Sequence, residues 1–330
     1  GALLNRAALP PEFAGLAALA ERTHHEPAAF EVLPGDVDRR RYVRLFLGDN
    51  RSVLGVVYPE EETDSRRRWT AARAVLRERM RVPVLIADDQ HGNQLVEDFG
   101  PLDLATKLST TPGDREAWLS RAAGAAVAFA QTEDPGINAP FEAAFFRREL
   151  ELAREAVFDL YLREPLSGEE RAVHDRWADA LAAEVAAHPR ALCHRDFHGN
   201  NLFPADDSIA AIDFQDLRSG PDTYDMASLL WERTTLEWMT ADLADRAVEE
   251  FVRARNIDAT SFRERFGRVL LQRAWKVCGT FARAVSQGRG EAYRRYLPGE
   301  IELVGRLLGG GREDRDFRRV YEARLAALVS

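Results

Sequence analysis

Apolar positions follow a helical period over a first short stretch, a strand-like pattern over the next, and a helical period again through most of what remains. Phe13, Leu16, Leu19 and Ala20 share one face of a short helix opened by Pro10-Pro11-Glu12. Residues 30–33, 41–47 and 52–58 then read as strands, the last two joined by a Gly48-Asp49-Asn50 turn. A helix capped by Asp64 or Ser65 runs to about residue 80, with Trp69, Ala72, Val75 and Leu76 on its apolar stripe. Residues 84–87 and 94–98 form another hairpin around His91-Gly92-Asn93. The pattern predicts a small mixed lobe of five strands, one longer helix and the short opening helix over residues 1–98, followed by a mostly helical lobe over 99–330. Helices are expected at 114–131, 141–162, 167–188, 221–231, 241–254, 261–286, 291–307 and 314–328. Ser167-Gly168-Glu169-Glu170 has the form of a capping box.

One stretch interrupts the helical lobe. It begins His194-Arg195-Asp196-Phe197-His198-Gly199-Asn200-Asn201 and continues as apolar strand, polar turn and apolar strand to Asp213. With the turn centred on Asp207, Asn201 and Asp213 stand opposite each other, roughly 5 Å apart as cross-strand partners. Phosphoryl transfer to an alcohol needs a carboxylate that orients the hydroxyl and accepts its proton, and oxygen ligands that hold Mg²⁺ on the triphosphate. Asp196 suits the first role, and Asn201 with Asp213 suits the second. A rival metal cluster of Cys193, His194 and His198 lacks a second Cys/His group at zinc spacing, and Cys193 ends an apolar strand.

Composition narrows the partners. The 330 residues are 45% apolar and 30% charged, which suits a globular protein large enough for two lobes. No apolar run approaches the ~18 residues of a membrane span, so no membrane partner is expected. Gly1 in place of Met reads as a trimmed or engineered start, and no secretion signal is recognisable. Cys193 and Cys278 in apolar settings indicate a reducing cytoplasm. A net charge of −9 argues against nucleic-acid binding. A monomer is expected. Lys107 and Lys276 are the two lysines among 45 basic residues, so residues 1–106 cannot supply the lysine that a kinase places on its third strand. Arg40, Arg41 or Arg44 could replace it, since an arginine fork suits phosphate oxygens. Alternation puts Arg40 and Arg44 on one face and Arg41 on the other, which favours the pair Arg40 and Arg44 for binding the nucleotide's phosphates. The same absence leaves open a pseudokinase that binds nucleotide or a partner.

A β-rich lobe, one crossing near Asp98-Phe99-Gly100 and a helical lobe with this motif predict an α+β, bilobal, protein-kinase-like fold. ATP would lie between the lobes, with its adenine edge reading the backbone at Val96, Glu97 and Asp98. Asp98-Phe99-Gly100 spells the kinase metal motif but precedes the catalytic stretch. Asp213-Phe214-Gln215 is therefore its functional counterpart.

At these residues the chain resembles the aminoglycoside phosphotransferase-like kinases. Asp222-Thr223-Tyr224-Asp225 is similar to their helix start, which implies that Asp225 holds the catalytic loop. Within that superfamily it most resembles the bacterial anomeric amino-sugar kinases of cell-wall recycling. The likeness lies in residues 36–44, 147–152, 212–216, and in Leu271-Gln272-Arg273 with Lys276-Val277 and residues 279–283. Where that group has small residues after the first strand, this chain has Asp38 and Arg39. The resemblance implies transfer from ATP-Mg²⁺ to the C1 hydroxyl of N-acetylmuramate or N-acetylglucosamine in peptidoglycan recycling. His198, Gln215, Asp216, Lys276 and Arg283 are then candidates for the sugar pocket. An aminoglycoside, choline or another small alcohol is the alternative substrate.

Overall fold

The structure, a computed structural model, describes residues 9–34, 40–288 and 290–329. Asp38 and Arg39 lie outside the described residues. The chain divides into two compact units, Gly1–Lys107 with Gly199–Asp216, and Leu108–His198 with Leu217–Ser330. The sequence division at residue 98 groups the 199–216 stretch with the helical lobe instead.

In the first unit, Pro11–Phe13 forms a turn of 3₁₀-helix that leads into helix α1 (Ala14–Arg22). Five antiparallel strands follow: β1 (Ala29–Val32), β2 (Arg41–Phe46), β3 (Ser52–Val57), β4 (Leu85–Asp88) and β5 (Asn93–Glu97), in the order β1-β2-β3-β5-β4. Phe13, Leu16, Leu19 and Ala20 pack on Phe30, Val43, Leu45, Val53 and Leu95 from one face of this sheet. Leu16 comes so close to β3 that a Cβ on Gly55 would lie 2.4 Å from its Cδ2. Helix α2 (Thr63–Leu76) buries Trp69, Ala72 and Leu76. Neither Asp64 nor Ser65 caps it. Both lie inside the first turn, and the helix ends at Leu76 rather than near residue 80. Helix α3 (Leu104–Thr110) was not legible as a separate element.

The next stretch is helical. Helix α4 (Arg115–Ala130) buries small residues, Ala122, Ala123, Ala125 and Ala126 among them. Helix α5 (Ala143–Arg154) continues as a π-helical segment, Glu155–Leu162, where one uninterrupted helix is expected. Helix α6 (Gly168–Ala186) opens with the predicted capping box: Glu170 N donates to Ser167 Oγ (3.2 Å) and Ser167 N to Glu170 Oε2 (2.9 Å). Strand β6 (Arg190–Cys193) follows.

Strands β7 (Leu202–Ala205) and β8 (Ser208–Ala211) then form a hairpin in the first unit. Leu202 pairs with Ala211 and Ala205 with Ser208, so the loop is the two residues Asp206 and Asp207. This register is one residue off the expected one. Asn201 faces Ile212, whose N–H donates to its carbonyl (3.0 Å), and Asp213 comes one position later.

Strand β9 (Arg218–Pro221) pairs antiparallel with β6 in the second unit, where a helix start at residues 221–222 is expected. Helix α7 (Tyr224–Leu230) begins three residues later. Helices α8 (Ala241–Arg255), α9 (Ala259–Ser286), α10 (Glu291–Arg294), α11 (Leu297–Leu307) and α12 (Arg312–Arg324) complete the unit. The 28-residue α9 is its axis and packs against α5, α6, α7 and α11. Trp275 and Cys278 of α9, with Trp177 and Phe317, belong to one buried core. Truncating such an aromatic to Ala typically costs about 3–5 kcal/mol.

Candidate active site

In the first unit the strands' alternation sends every second side chain into one cavity of about 380 Å³. β3 contributes Leu54 and Val56, and β5 contributes Gln94, Val96 and its last residue Glu97, with Asp98 following. Arg40, Tyr42 and Arg44 line the same space, as do Asn201 and Asp213 from either side of the β7-β8 hairpin. Arg41 points to the other face, where its guanidinium lies 4.8 Å from the Phe13 ring centroid.

The two arginines on the cavity face are engaged differently. Arg40 Nη2 donates to Asp213 Oδ1 at 2.8 Å. Arg44 forks onto Asp98 through Nε (2.7 Å) and Nη2 (3.1 Å) and also stands 3.5 Å from Glu31. Burial alone would raise the Asp98 pKa. Hydrogen bonds from Arg44, Ser52 and the Gly100 N–H bring it below the ordinary carboxylate value. The Glu97 N–H donates to the Val84 carbonyl (2.9 Å).

Asp213 has a left-handed backbone, φ 61°, and its Oδ1 also accepts from Gln215 Nε2 at 2.8 Å. Asn201 ends a 3₁₀ turn, Gly199–Asn201, that is fixed at both preceding residues. Gly199 packs so tightly that a Cβ there would lie 2.8 Å from that of Ala105, and Asn200 Nδ2 donates to Asp103 Oδ2 (3.0 Å). A carboxylate and a side-chain amide on one cavity wall are hard oxygen donors, the chemistry that Mg²⁺ takes. Asp216 forms an ion pair with Arg68 of α2 at 2.5 Å. Trp69, next to Arg68, stacks on Phe214 with ring centroids 5.6 Å apart.

In the second unit, β6 delivers the His194–His198 stretch. Asp225, buried in the first turn of α7, accepts from His194 N (2.7 Å) and Arg195 N (3.2 Å). Its burial raises its pKa, only partly offset by the His194 charge and these two N–H donors. Asp196 keeps about a third of its side chain exposed, at 35%. Its partial burial favours the neutral acid, but the charges of Lys276, Arg195, His198 and Arg273 outweigh it and pull the pKa down to about 2. His198 has a pKa lowered to about 4, first by burial and then by Arg233 and Arg273, against the pull of Asp196. It is therefore a neutral imidazole at neutral pH. The His194 ring packs on Phe129 and Phe197, and the Cys193 thiol lies against the Pro221 carbonyl at 3.4 Å.

The sugar-pocket candidates are thus distributed. Lys276 and His198 belong to the surroundings of Asp196, while Gln215 sits on Asp213 and Asp216 on Arg68. Arg283, two turns beyond Lys276, donates to the Leu152 carbonyl at 3.4 Å. Sequence reasoning did not single out Arg68, and it named Arg273 only within a block of family likeness, with no role at the site. Their partners are 148 and 78 positions away, and nothing local marks them.

A family model described as the phosphotransferase enzyme family (APH) matches residues 29–266. The N-acetylmuramate/N-acetylglucosamine kinase of Pseudomonas aeruginosa is 28% identical over 324 residues, which cover 92% of this chain and 88% of that protein. The kinase of the same name from Neisseria meningitidis serogroup B is 27% identical over 281 residues, 82% of this chain and 83% of that one. Among solved structures, the gentamicin complex of APH(2")-IIa superposes with a TM-score of 0.62 at 13% identity, over 94% of this chain and 99% of that one. The fold is that of the aminoglycoside phosphotransferases, a protein-kinase-like α+β fold. With the family match covering most of its length, the chain belongs to the phosphotransferase enzyme family and is an enzyme that phosphorylates a hydroxyl group.

Proposed function

We propose that the chain is an ATP-dependent amino-sugar kinase that phosphorylates the anomeric hydroxyl of N-acetylmuramate or N-acetylglucosamine, in the cytoplasmic recycling of peptidoglycan. The observation that carries the substrate class is the positive surroundings of Asp196, with Lys276, Arg195 and Arg273 all acting on its carboxylate. A cationic aminoglycoside or choline would meet repulsion there, whereas a neutral or acidic sugar would not. Likeness to two kinases named for these sugars, running over most of the chain, supports the same reading.

In this mechanism Asp196 orients the acceptor hydroxyl and takes its proton. A carboxylate held at about pKa 2 is a weak base. An anomeric hydroxyl is more acidic than other sugar hydroxyls and asks less of it, so neutral His198 need not relay a proton. Asn201 and Asp213 would hold Mg²⁺, which when bound offsets charge on the transferring phosphoryl group. Arg40, already on Asp213, supplies a guanidinium to the phosphates, while Arg44 keeps Asp98 in place beside the base. Leu54, Val56 and Val96 give the adenine ring an apolar floor.

The test is ATP consumption with Mg²⁺ across N-acetylglucosamine, N-acetylmuramate, their 1-O-methyl glycosides, an aminoglycoside and choline. Turnover is expected with the free sugars only, giving a non-reducing product that releases phosphate in mild acid. Phosphorylation of a 1-O-methyl glycoside would overturn the anomeric assignment. Turnover restricted to the aminoglycoside or choline would overturn the sugar assignment.

A further inference from the structure

Arg195 precedes Asp196 and has φ 85°, a left-handed conformation that a side chain as large as arginine rarely adopts. Such a residue persists only where its surroundings hold it. Its N–H is held by the Asp225 carboxylate (3.2 Å). Its carbonyl accepts from Nη1 of Arg273 (3.3 Å), which reaches in from α9.

Arg273 is an expensive residue to place there. It is 5% exposed, and its Nε is buried without a hydrogen-bond partner. Among the described residues no carboxylate lies within salt-bridge distance of it. Nη2 donates to Ser228 Oγ (2.9 Å) on α7, and the guanidinium carbon lies 4.5 Å from the Tyr224 ring centroid. Burial works against the charge, but Tyr224 and the carboxylates of Asp196, Glu149 and Asp225 outweigh it and raise the Arg273 pKa above its ordinary value, although none of these carboxylates makes an ion-pair contact with the fork. The guanidinium is nonetheless immobilised from two sides by α7, and the loop group it reaches is the carbonyl before Asp196.

We infer that Arg273 is a positioning residue: it fixes the Arg195–Asp196 peptide, and so the direction of the Asp196 carboxylate, for the acceptor hydroxyl. Its charge adds to that of Lys276 on the same helix and of Arg195 on the loop in keeping Asp196 ionised. This role rests on the proposed reading of Asp196 as the group that takes the hydroxyl proton.

The test combines Arg273→Met, Asp196→Asn and the double variant with steady-state kinetics. Arg273→Met should lower kcat about 10²-fold, the scale of a misplaced catalytic group, with KM for ATP within about twofold of the parent. Because Arg273 acts through Asp196, the double variant should be no slower than Asp196→Asn alone. If Arg273→Met does not fold, Arg273→Lys carries the test: it keeps the charge, loses the fork, and should show about a tenfold loss in kcat at unchanged KM for ATP. Additive losses in the double variant, an unchanged kcat, or unfolding of both Arg273 variants would overturn the proposal and leave Arg273 a packing residue. Normal turnover by Asp196→Asn would instead overturn the reading of Asp196 itself.

Discussion

Arg40, just before β2, and Arg44, within it, share a cavity face and a residue type, yet their partners separate them. Arg44 and Asp98 form a buried pair, with side chains 11% and 3% exposed. Removing one member of such a pair strands the other charge and costs about 3 kcal/mol or more. Arg40 pairs with the Asp213 carboxylate, whose side chain is 34% exposed and which the proposed mechanism gives to the metal. Arg40→Ala should therefore raise KM for ATP about tenfold or more, the loss of a charged hydrogen bond, and KM for the sugar much less. Arg44→Ala should lower the urea midpoint instead and change KM for ATP little in the protein that remains folded. The reverse pattern would exchange their roles. The lack of lysine before residue 107 pointed to an arginine in the phosphate role. Alternation favoured Arg40 and Arg44 as a pair; their different partners could not be read locally, because Asp98 lies 54 positions from Arg44 and Asp213 lies 173 from Arg40.

At the scale of elements, what was legible was what short-range chemistry decides. The capping box of α6 is such a case, and it carries a pH dependence. Hydrogen bonds from Arg324 on α12 are the largest influence on Glu170. With the Ser167 N–H they outweigh its slight burial and bring its pKa from the ordinary 4.5 to about 2. In the unfolded chain the ordinary value returns. The group's contribution to stability is thus complete above about pH 4.5 and is lost as pH falls toward about 2. Glu170→Gln should lower the urea midpoint at about pH 7, and the gap from the parent should narrow steadily at about pH 4 and about pH 3. A gap independent of pH would mean that the carboxylate's charge is not what joins α6 to α12. Elements set by distant partners were the ones misread. Arg218-Ser219-Gly220-Pro221 has no strand-like alternation, and it is a strand because β6 offers it a ladder. The β7-β8 register slipped by one because five polar or small residues, 204–208, fit several loop lengths. The observed two-residue loop needs Asp206 at φ 53°, which composition does not announce.

At the scale of the whole molecule, the chain leaves the second unit after His198 and re-enters it at Leu217. The motif Asp196 to Asn201, legible as a spacing, is thereby split between units. Asp196 stays with β6, and Asn201 goes with the hairpin that carries Asp213. The excursion is structural for the first unit, where Phe214 stacks on Trp69, Asp216 pairs with Arg68 and the Ala211 N–H donates to the Arg81 carbonyl (3.0 Å). Cys193 and Arg218 are paired across β6 and β9, so the two ends of the gap are already joined by a ladder a few residues away. The core around Trp177, Trp275 and Phe317 draws nothing from residues 199–216. A chain of residues 108–330 in which a short Gly/Ser linker replaces 199–216 should therefore fold, with a single cooperative urea transition and near-ultraviolet circular dichroism from its buried tryptophans. Residues 1–107 alone should show no cooperative transition, since Trp69 and Arg68 would lose their partners. Addition of the 199–216 segment through a linker should restore one. Cooperative unfolding of 1–107 by itself would show that the hairpin is not part of that unit's fold. Failure of the linked 108–330 chain to fold would show that the catalytic stretch needs the hairpin for stability as well as for chemistry.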